Sequence, residues 1–258
     1  MNEDEAFIRA IVASPGDDTP RLVYADWLDD RDDPRGRYLR AEAEWAKPWR
    51  SGKRPEESSE LRKLARELDP VWVARVSRPP VGVCCDQLRF TDSGPPISMQ
   101  QLDTLENDSF AREAKYGGYP EPVFLGLPVD YRAFMLNQNG GECPRSSFPV
   151  PSTEEQPAYV AEAYFRFWRF GETIPLDDPT GPWGSWLIVA TCQLEHYRDK
   201  LLLRCDGKVA GRVYFYAQSR FQDWELDELP EVARSLSEFF AILMPLNCGS
   251  INPSTQRI

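Results

Sequence analysis

Apolar residues recur at helical spacing from the start of the chain. Phe7, Ile8, Ile11 and Val12 form one stripe, and Pro15-Gly16-Asp17-Asp18 interrupts it. Thr19 then offers an N-cap, Pro20 suits a first helical turn, and Leu22, Val23, Trp27 and Leu28 continue with helical period. Asp33 and Pro34 repeat the device ahead of Tyr38, Leu39 and Trp45. After the polar break Ser51-Gly52-Lys53-Arg54-Pro55, Leu61, Leu64 and Leu68 mark a further helix. Helices this short are marginal alone, so residues 1–78 are expected to form an all-α module that packs on itself or on the rest of the chain.

Pro79-Pro80 and Pro95-Pro96 punctuate a connector over 79–97, inside which Val81, Val83 and Cys85 have the alternation of a short strand. From residue 98 the texture is α+β. A helix is predicted over Ser98–Glu106, with Met99, Leu102 and Leu105 inward. Val160–Phe170 and Trp186–Ala190 read as strands. Leu201–Cys205 and Val209–Tyr216 read as a hairpin about Asp206-Gly207, with Val209, Val213 and Phe215 toward the core and Arg212, Tyr214 and Tyr216 away from it. Ser235-Leu236-Ser237-Glu238 is a capping box ahead of Phe239, Phe240 and Leu243.

Asn139-Gly140-Gly141 decides between two function classes. A phosphate-cradling loop places its glycines before a helix, where free N–H groups point at the anion. Here Leu127, Tyr131, Phe134, Met135 and Gln138 form a helical stripe that the glycines follow, and no Gly-Lys-Ser/Thr occurs in the chain. The segment is a helix stop.

Charge and cysteine usage narrow the picture further. The net charge of −11, from 30 basic and 41 acidic residues, disfavours direct binding to nucleic acid. The excess is uneven: residues 1–80 hold 17 acidic and 15 basic side chains, residues 81–258 hold 24 and 15. Met1-Asn2-Glu3-Asp4-Glu5 is acidic where a secretion signal is basic, and no apolar run reaches bilayer length, so a cytoplasmic protein without membrane association is expected. Six cysteines without C-x-x-C spacing are expected to be reduced and mostly buried. The run Asp29-Asp30-Arg31-Asp32-Asp33 lacks the spaced ligands and turn glycine of a calcium loop and reads as a solvated helix junction.

Two resemblances are carried by particular words of the sequence. Thr19-Pro20-Arg21-Leu22, Tyr24-Ala25-Asp26-Trp27-Leu28 and Asp33-Pro34-Arg35-Gly36 resemble the small helical repeat-companion module of certain bacterial proteins, over about 1–50. That likeness implies architecture and no activity. Leu127-Pro128-Val129-Asp130-Tyr131 running to Asn139-Gly140-Gly141, then Ile174-Pro175-Leu176-Asp177-Asp178, Gly207–Phe215 and Ser235–Phe240 resemble the SUKH superfamily of Smi/Knr type, over about 98–245. The second resemblance implies an α+β domain, an antiparallel-rich sheet flanked by helices, over 98–258. It also implies protein binding without shared catalytic machinery. In bacteria that means immunity proteins that neutralise a toxin, often a nuclease or deaminase, and in eukaryotes interaction scaffolds.

Candidate partner-binding residues lie in two loops that interleave carboxylates with large apolar groups: Asp177, Asp178 and Trp183 in one, Asp223, Trp224, Glu225, Asp227 and Glu228 in the other. Such surfaces suit a basic partner such as a nuclease. The alternatives are a scaffold binding cellular proteins through both regions, and an enzyme or metal protein built on His196, the single histidine, with Cys192 and Cys205. No nucleophile elbow or catalytic triad is visible, and neither catalytic residues nor a cofactor are expected.

Overall fold

The first five helices are α1 (Glu3–Ala13), α2 (Thr19–Asp29), α3 (Arg35–Trp45), α4 (Ser59–Ala65) and α5 (Pro70–Val76), and cap or proline signals open the last four. The computed structural model describes residues 3–48, 58–85, 88, 90–104, 126–153, 157–169, 174–175, 186–194, 197–217 and 229–245. The Asp17 carboxylate accepts from Thr19 N at 2.8 Å, and Asp33 from Arg35 N at 3.0 Å; Thr19 is the first residue of α2 and Asp18, not Thr19, stands at its N-cap, while Pro34 stands at the N-cap of α3. Asp69, at the N-cap of α5, accepts from Trp72 N at 2.7 Å, and Pro70 opens the helix. The Asp69-Pro70 pair repeats the signal used at 33–34, and sequence reading passed over it. Leu68 falls in the turn after α4 instead of extending that helix.

The inward stripe of α2 differs from expectation. Arg21, Tyr24, Ala25 and Leu28 are buried, whereas Leu22 and Val23 are 39% and 51% exposed. The cause is a buried ion cluster. Glu42 on α3 accepts from the backbone N–H of Arg78 at 3.0 Å and from Arg78 Nη1 at 2.9 Å, while Arg21 Nε lies 3.2 Å away. Arg21 also donates to the carbonyls of Pro15 (2.8 Å), Asp17 (3.1 Å) and Val76 (3.1 Å). Turning Arg21 inward rotates its two apolar successors to the surface.

In the second region, residues 99–104 form a helical stretch, α6, capped reciprocally by Ser98 and Gln101. Leu102 is buried as expected, but Met99 is 41% exposed beside Arg132, which binds Asp103. Leu105 and Glu106 lie outside the described residues. The helix before the glycine pair is α7 (Val129–Gln138), and α8 (Leu236–Ile242) follows the capping box, whose Ser235 hydroxyl accepts from Glu238 N at 3.1 Å. Gly140 and Gly141 have φ of +70° and +128°. A Cβ at Gly141 would lie 2.7 Å from Ser93 Oγ and 2.9 Å from the Thr91 carbonyl. The helix-stop reading holds.

The strands are β1 (Gly141–Glu142), β2 (Ser146–Val150), β3 (Tyr159–Phe167), β4 (Ile174–Pro175), β5 (Trp186–Leu194), β6 (Tyr197–Arg204), β7 (Val213–Tyr216), β8 (Glu231–Ala233) and β9 (Met244–Pro245). They make one sheet in the order β8-β7-β6-β5-β3-β2-β9, with β1 on β3 and β4 on β5, and every pairing is antiparallel. Two expectations fail locally. Residues 81–85 are turn and coil, not a strand. The β6–β7 hairpin is longer than a two-residue turn: Gly207–Val209 is a 3₁₀ turn, Gly211 N bonds the Arg204 carbonyl at 2.7 Å, and Val209 leaves the strand. Val213 and Phe215 point inward, and Tyr214 and Tyr216 outward.

The inner face of the sheet packs on α7 and α8 through rings. Phe134 lies 5.2 Å from Phe167 and 5.5 Å from Phe240; Phe148 and Phe165 contact Phe239. The helical region has its own cluster, and α5 serves both. Trp72, Val73 and Val76 enter the helical cluster, while Ala74 enters the sheet cluster with Val71 packed against it. Cys84 and Cys85 divide the same way, one to each cluster. Arg75 spans the seam, holding Glu5 of α1 through two bonds (2.9 and 2.8 Å) and Asn137 of α7 at 3.0 Å. Ser237 of α8 adds a contact, its hydroxyl 2.9 Å from the Pro80 carbonyl. Of the connector's described residues, Val83, Cys84, Cys85, Leu88 and Ile97 are buried, whereas residues 91–93, 95 and 96 are exposed.

Candidate functional site

Alternation along β3 places Val160, Glu162, Tyr164 and Arg166 on the face turned away from α7 and α8, and all four are exposed. Register carries that face across the sheet. Arg166 stands opposite Thr191, Thr191 opposite Lys200, and Lys200 opposite Tyr216, a single row over β3, β5, β6 and β7. A bulge near Val189 resets the phase of β5, so both Trp186 and Ile188 also point outward.

Those two residues found a separate apolar cluster on the outer face. Trp186, Ile188, Leu202 and Leu229 are buried in it, with Trp168, Tyr214 and Tyr216 packed against them. Trp186 meets Tyr214 edge-on, ring centroids 4.9 Å apart, and the Arg204 guanidinium sits 4.5 Å over the Trp186 ring while pairing with Asp206. Lys200 Nζ lies 5.5 Å from the Tyr216 ring. Among the described residues, the buried indole N–H groups of Trp168 and Trp186 find no acceptor.

The far end of the face is different. Val160 and Tyr164 are 63% and 52% exposed, and between them Glu162 pairs with Arg145 at 2.9 Å. The outer face thus runs from an aromatic cluster, through a basic row, to two exposed apolar side chains.

All eight residues expected to bind a partner, Asp177, Asp178, Trp183, Asp223, Trp224, Glu225, Asp227 and Glu228, lie outside the described residues. The ends of their loops are described. The stretch 176–185 joins β4 to β5 and delivers the chain at Trp186, while 218–228 leaves after Ala217 and returns at Leu229. Trp186 and Leu229 belong to the same outer cluster, so the two loops, remote in sequence, share an anchor. Sequence reading identified the loops but missed their common base, because the apolar run Trp186–Ala190 reads as one buried strand whose two faces are indistinguishable.

The metal reading on Cys192, His196 and Cys205 does not survive the register. His196 lies outside the described residues. Cys192 stands opposite Asp199, six positions along β6 from Cys205, a separation on the order of 20 Å. Zinc–sulfur bonds of about 2.3 Å cannot span it. Burial, then the charge of nearby Asp199, pushes the Cys192 thiol well above its usual range. Burial likewise raises Cys143, to about 11, and the five described cysteines are buried and form no disulfide. Among the described residues no cluster of His, Cys, Asp and Glu is arranged to hold a metal. The Asp29–Asp33 run serves as a junction: Asp33 pairs with Arg35 at 2.7 Å and Asp29 with Arg40 at 2.6 Å. Among the described residues no helix is long and apolar enough to cross a membrane.

Residues 124–242, just under half of the chain, match the family model of the SMI1 / KNR4 family (SUKH-1). The match begins ahead of α7 and ends with α8, taking in the inner core and all of the outer face described above. No curated protein and no solved structure matches the chain.

Proposed function

Residues 124–242 match the SUKH-1 family, and from that premise we propose that the chain is a non-catalytic protein-binding protein of the immunity kind. It holds a toxin with the outer sheet face and the two loops rooted there, and blocks it by occupying the toxin's own substrate surface. The observation that supports this reading is the shared anchor: Trp186 and Leu229, the ends of two carboxylate- and tryptophan-bearing loops, meet in one outer cluster. In this reading the loops that carry Asp177, Asp178, Trp183, Asp223, Trp224, Glu225, Asp227 and Glu228 act on the partner together. Residues 81–258 carry nine more acidic than basic side chains, a field that speeds encounter with a basic, phosphate-gripping toxin. Trp224 is the anchor of the contact and its neighbouring carboxylates set its polarity.

The test is affinity capture with the tagged full chain from its own cells, alongside Trp224→Ala and Asp227→Arg. A toxin recovered by the parent chain, lost by at least tenfold in either variant and inhibited when bound, is the expected result. Recovery of the same proteins by all three chains removes the loops from the account.

A further inference from the structure

One side chain lies where both loops of the proposed function are rooted. The β5–β6 ladder ends at the pair Trp186–Arg204, and the chain reaches Trp186 directly from 176–185. Leu201 and Leu203 point into the inner core and Leu202 into the outer cluster, so alternation puts Arg204 on the outer face as well. There its guanidinium sits 4.5 Å over the Trp186 ring. Asp206, at the start of the turn after β6, pairs with Arg204 Nε and accepts from Nη2 at 3.3 Å. Tyr214 meets the same indole edge-on, centroids 4.9 Å apart. Trp186 is therefore held on its face by Arg204 and at its edge by Tyr214. The other loop returns through the same cluster: Leu229 is buried in it, and the carbonyl of the next residue, Pro230, accepts from Phe215 N at 3.2 Å.

The chemistry of arginine matters at this place. A planar guanidinium lies on an indole while its nitrogens still pair with a carboxylate in the same plane; an ammonium group is a point charge and loses that fork. The pair also differs from its neighbours in burial. Arg204 and Asp206 side chains are each 18% exposed, whereas Arg145 and Arg212, paired with Glu162 and Glu231, are 39% and 40% exposed. We infer that Arg204 is a positioning residue: held onto Trp186 by Asp206, it fixes the roots of both loops and sets the strength of the partner contact without touching the partner. The inference rests on the proposed function for what the loops do, and names what keeps them ready to do it. Loops ordered in advance cost less to order on binding, so loosening this clamp weakens the contact through faster dissociation. A purely structural role has a different signature. The inner core between the sheet and α7 would then lose protection together with the loops.

The test is hydrogen–deuterium exchange of the free full chain, comparing the parent with Arg204→Lys, which keeps the charge and removes the planar fork. Exchange over 176–185 and 218–228 is expected to rise about fivefold or more, while α7 and residues 160–167 stay as they are. Asp206→Asn is expected to loosen the same two loops, and adding it to Arg204→Lys has no further effect, because it acts only through Arg204. Arg145→Gln, which breaks an outer-face pair away from the roots, leaves both loops unchanged. Loops that already exchange at the unprotected rate in the parent overturn the inference. So does an unchanged rate in Arg204→Lys, a rise in only one loop, or a rise that includes α7. In the capture experiment, Arg204→Lys is expected to release the toxin about tenfold faster. A toxin held equally by parent and Arg204→Lys sinks the inference and leaves the proposed function standing. Loops loosened as expected, with no toxin captured by the parent, sink the proposed function and leave the clamp.

Discussion

Glu42 shows how one side chain sets a helix's orientation. It is fully buried between Arg21 and Arg78, and its carboxylate receives three nitrogens from two elements. Glu42→Gln keeps the shape and removes the charge, leaving two buried guanidinium groups underbalanced; Asp18, 2.7 Å from Arg78, compensates only one. Breaking such a pair costs about 3–5 kcal/mol, so the urea midpoint is expected to fall accordingly, with an unchanged slope. Acid acts through different residues. The Arg35 side chain, outweighing burial, holds Asp33 below the usual carboxylate range. Burial alone raises Glu5, but the hydrogen bond and charge of Arg75 outweigh it and the net shift is down. A carboxylate lowered on folding contributes stability above its unfolded pKa and loses it as pH falls through the folded one. Asp33→Asn is therefore expected to flatten the decline of stability between neutrality and acid while lowering stability at pH 7. An identical decline in the variant counts against the pairing. At this scale the sequence was only partly legible. The glycine pair after Gln138 announced its positive φ, but nothing in local periodicity says that Arg21, not Leu22 or Val23, turns inward. The decision belongs to Glu42 and Arg78, the latter 57 residues away along the chain.

Among elements, α5 carries the most consequence for its seven residues. One side meets the helical cluster, the other the sheet cluster, and Arg75 crosses the seam to Glu5 and Asn137. Arg75→Ala removes three charge-assisted bonds and takes the donor from Asn137 Oδ1, while Asn137 Nδ2 keeps its bond to the carbonyl of residue 75. A loss of about 2–3 kcal/mol is expected, measured by denaturant titration. The unfolding reported by Trp72 in the helical cluster and by Trp186 in the sheet is expected to coincide in the parent chain and to separate in the variant. Separate transitions in the parent would mean that the seam does not couple the cores. Helix α5 was readable in principle from Asp69-Pro70 but not from a stripe, because a helix with two buried sides has no polar face to give it period. The same ambiguity hid the outer cluster of β5, where a bulge near Val189 turns an apolar run to both faces in succession. The hairpin after β6 erred in the opposite direction. Asp206-Gly207 is a strong turn signal, and its Gly207 does adopt φ +61°, yet the 3₁₀ turn and Gly211 lengthen the loop.

For the molecule as a whole, charge and shape are distributed unequally. The helical region is nearly neutral and joined to the sheet by α5; the sheet's inner face is committed to α7 and α8. Among the described residues, the outer face, with its aromatic cluster, basic row and exposed Val160 and Tyr164, is not committed to a helix, and the proposed function places the partner there. The acidity of residues 81–258 was legible from composition; the two loops with interleaved carboxylates and tryptophans lie outside the described residues. The meeting of Trp186 and Leu229 in one outer cluster was not legible, since it arises from strand order β8-β7-β6-β5, which no local pattern encodes. Hydrogen–deuterium exchange of the full chain, free and bound to a captured toxin, tests this most directly. The account predicts new protection over residues 160–168 and 186–193 and in the loops 176–185 and 218–228, with α2 and α3 unchanged. Protection confined to the exposed side of α2, around Leu22 and Val23, would contradict it.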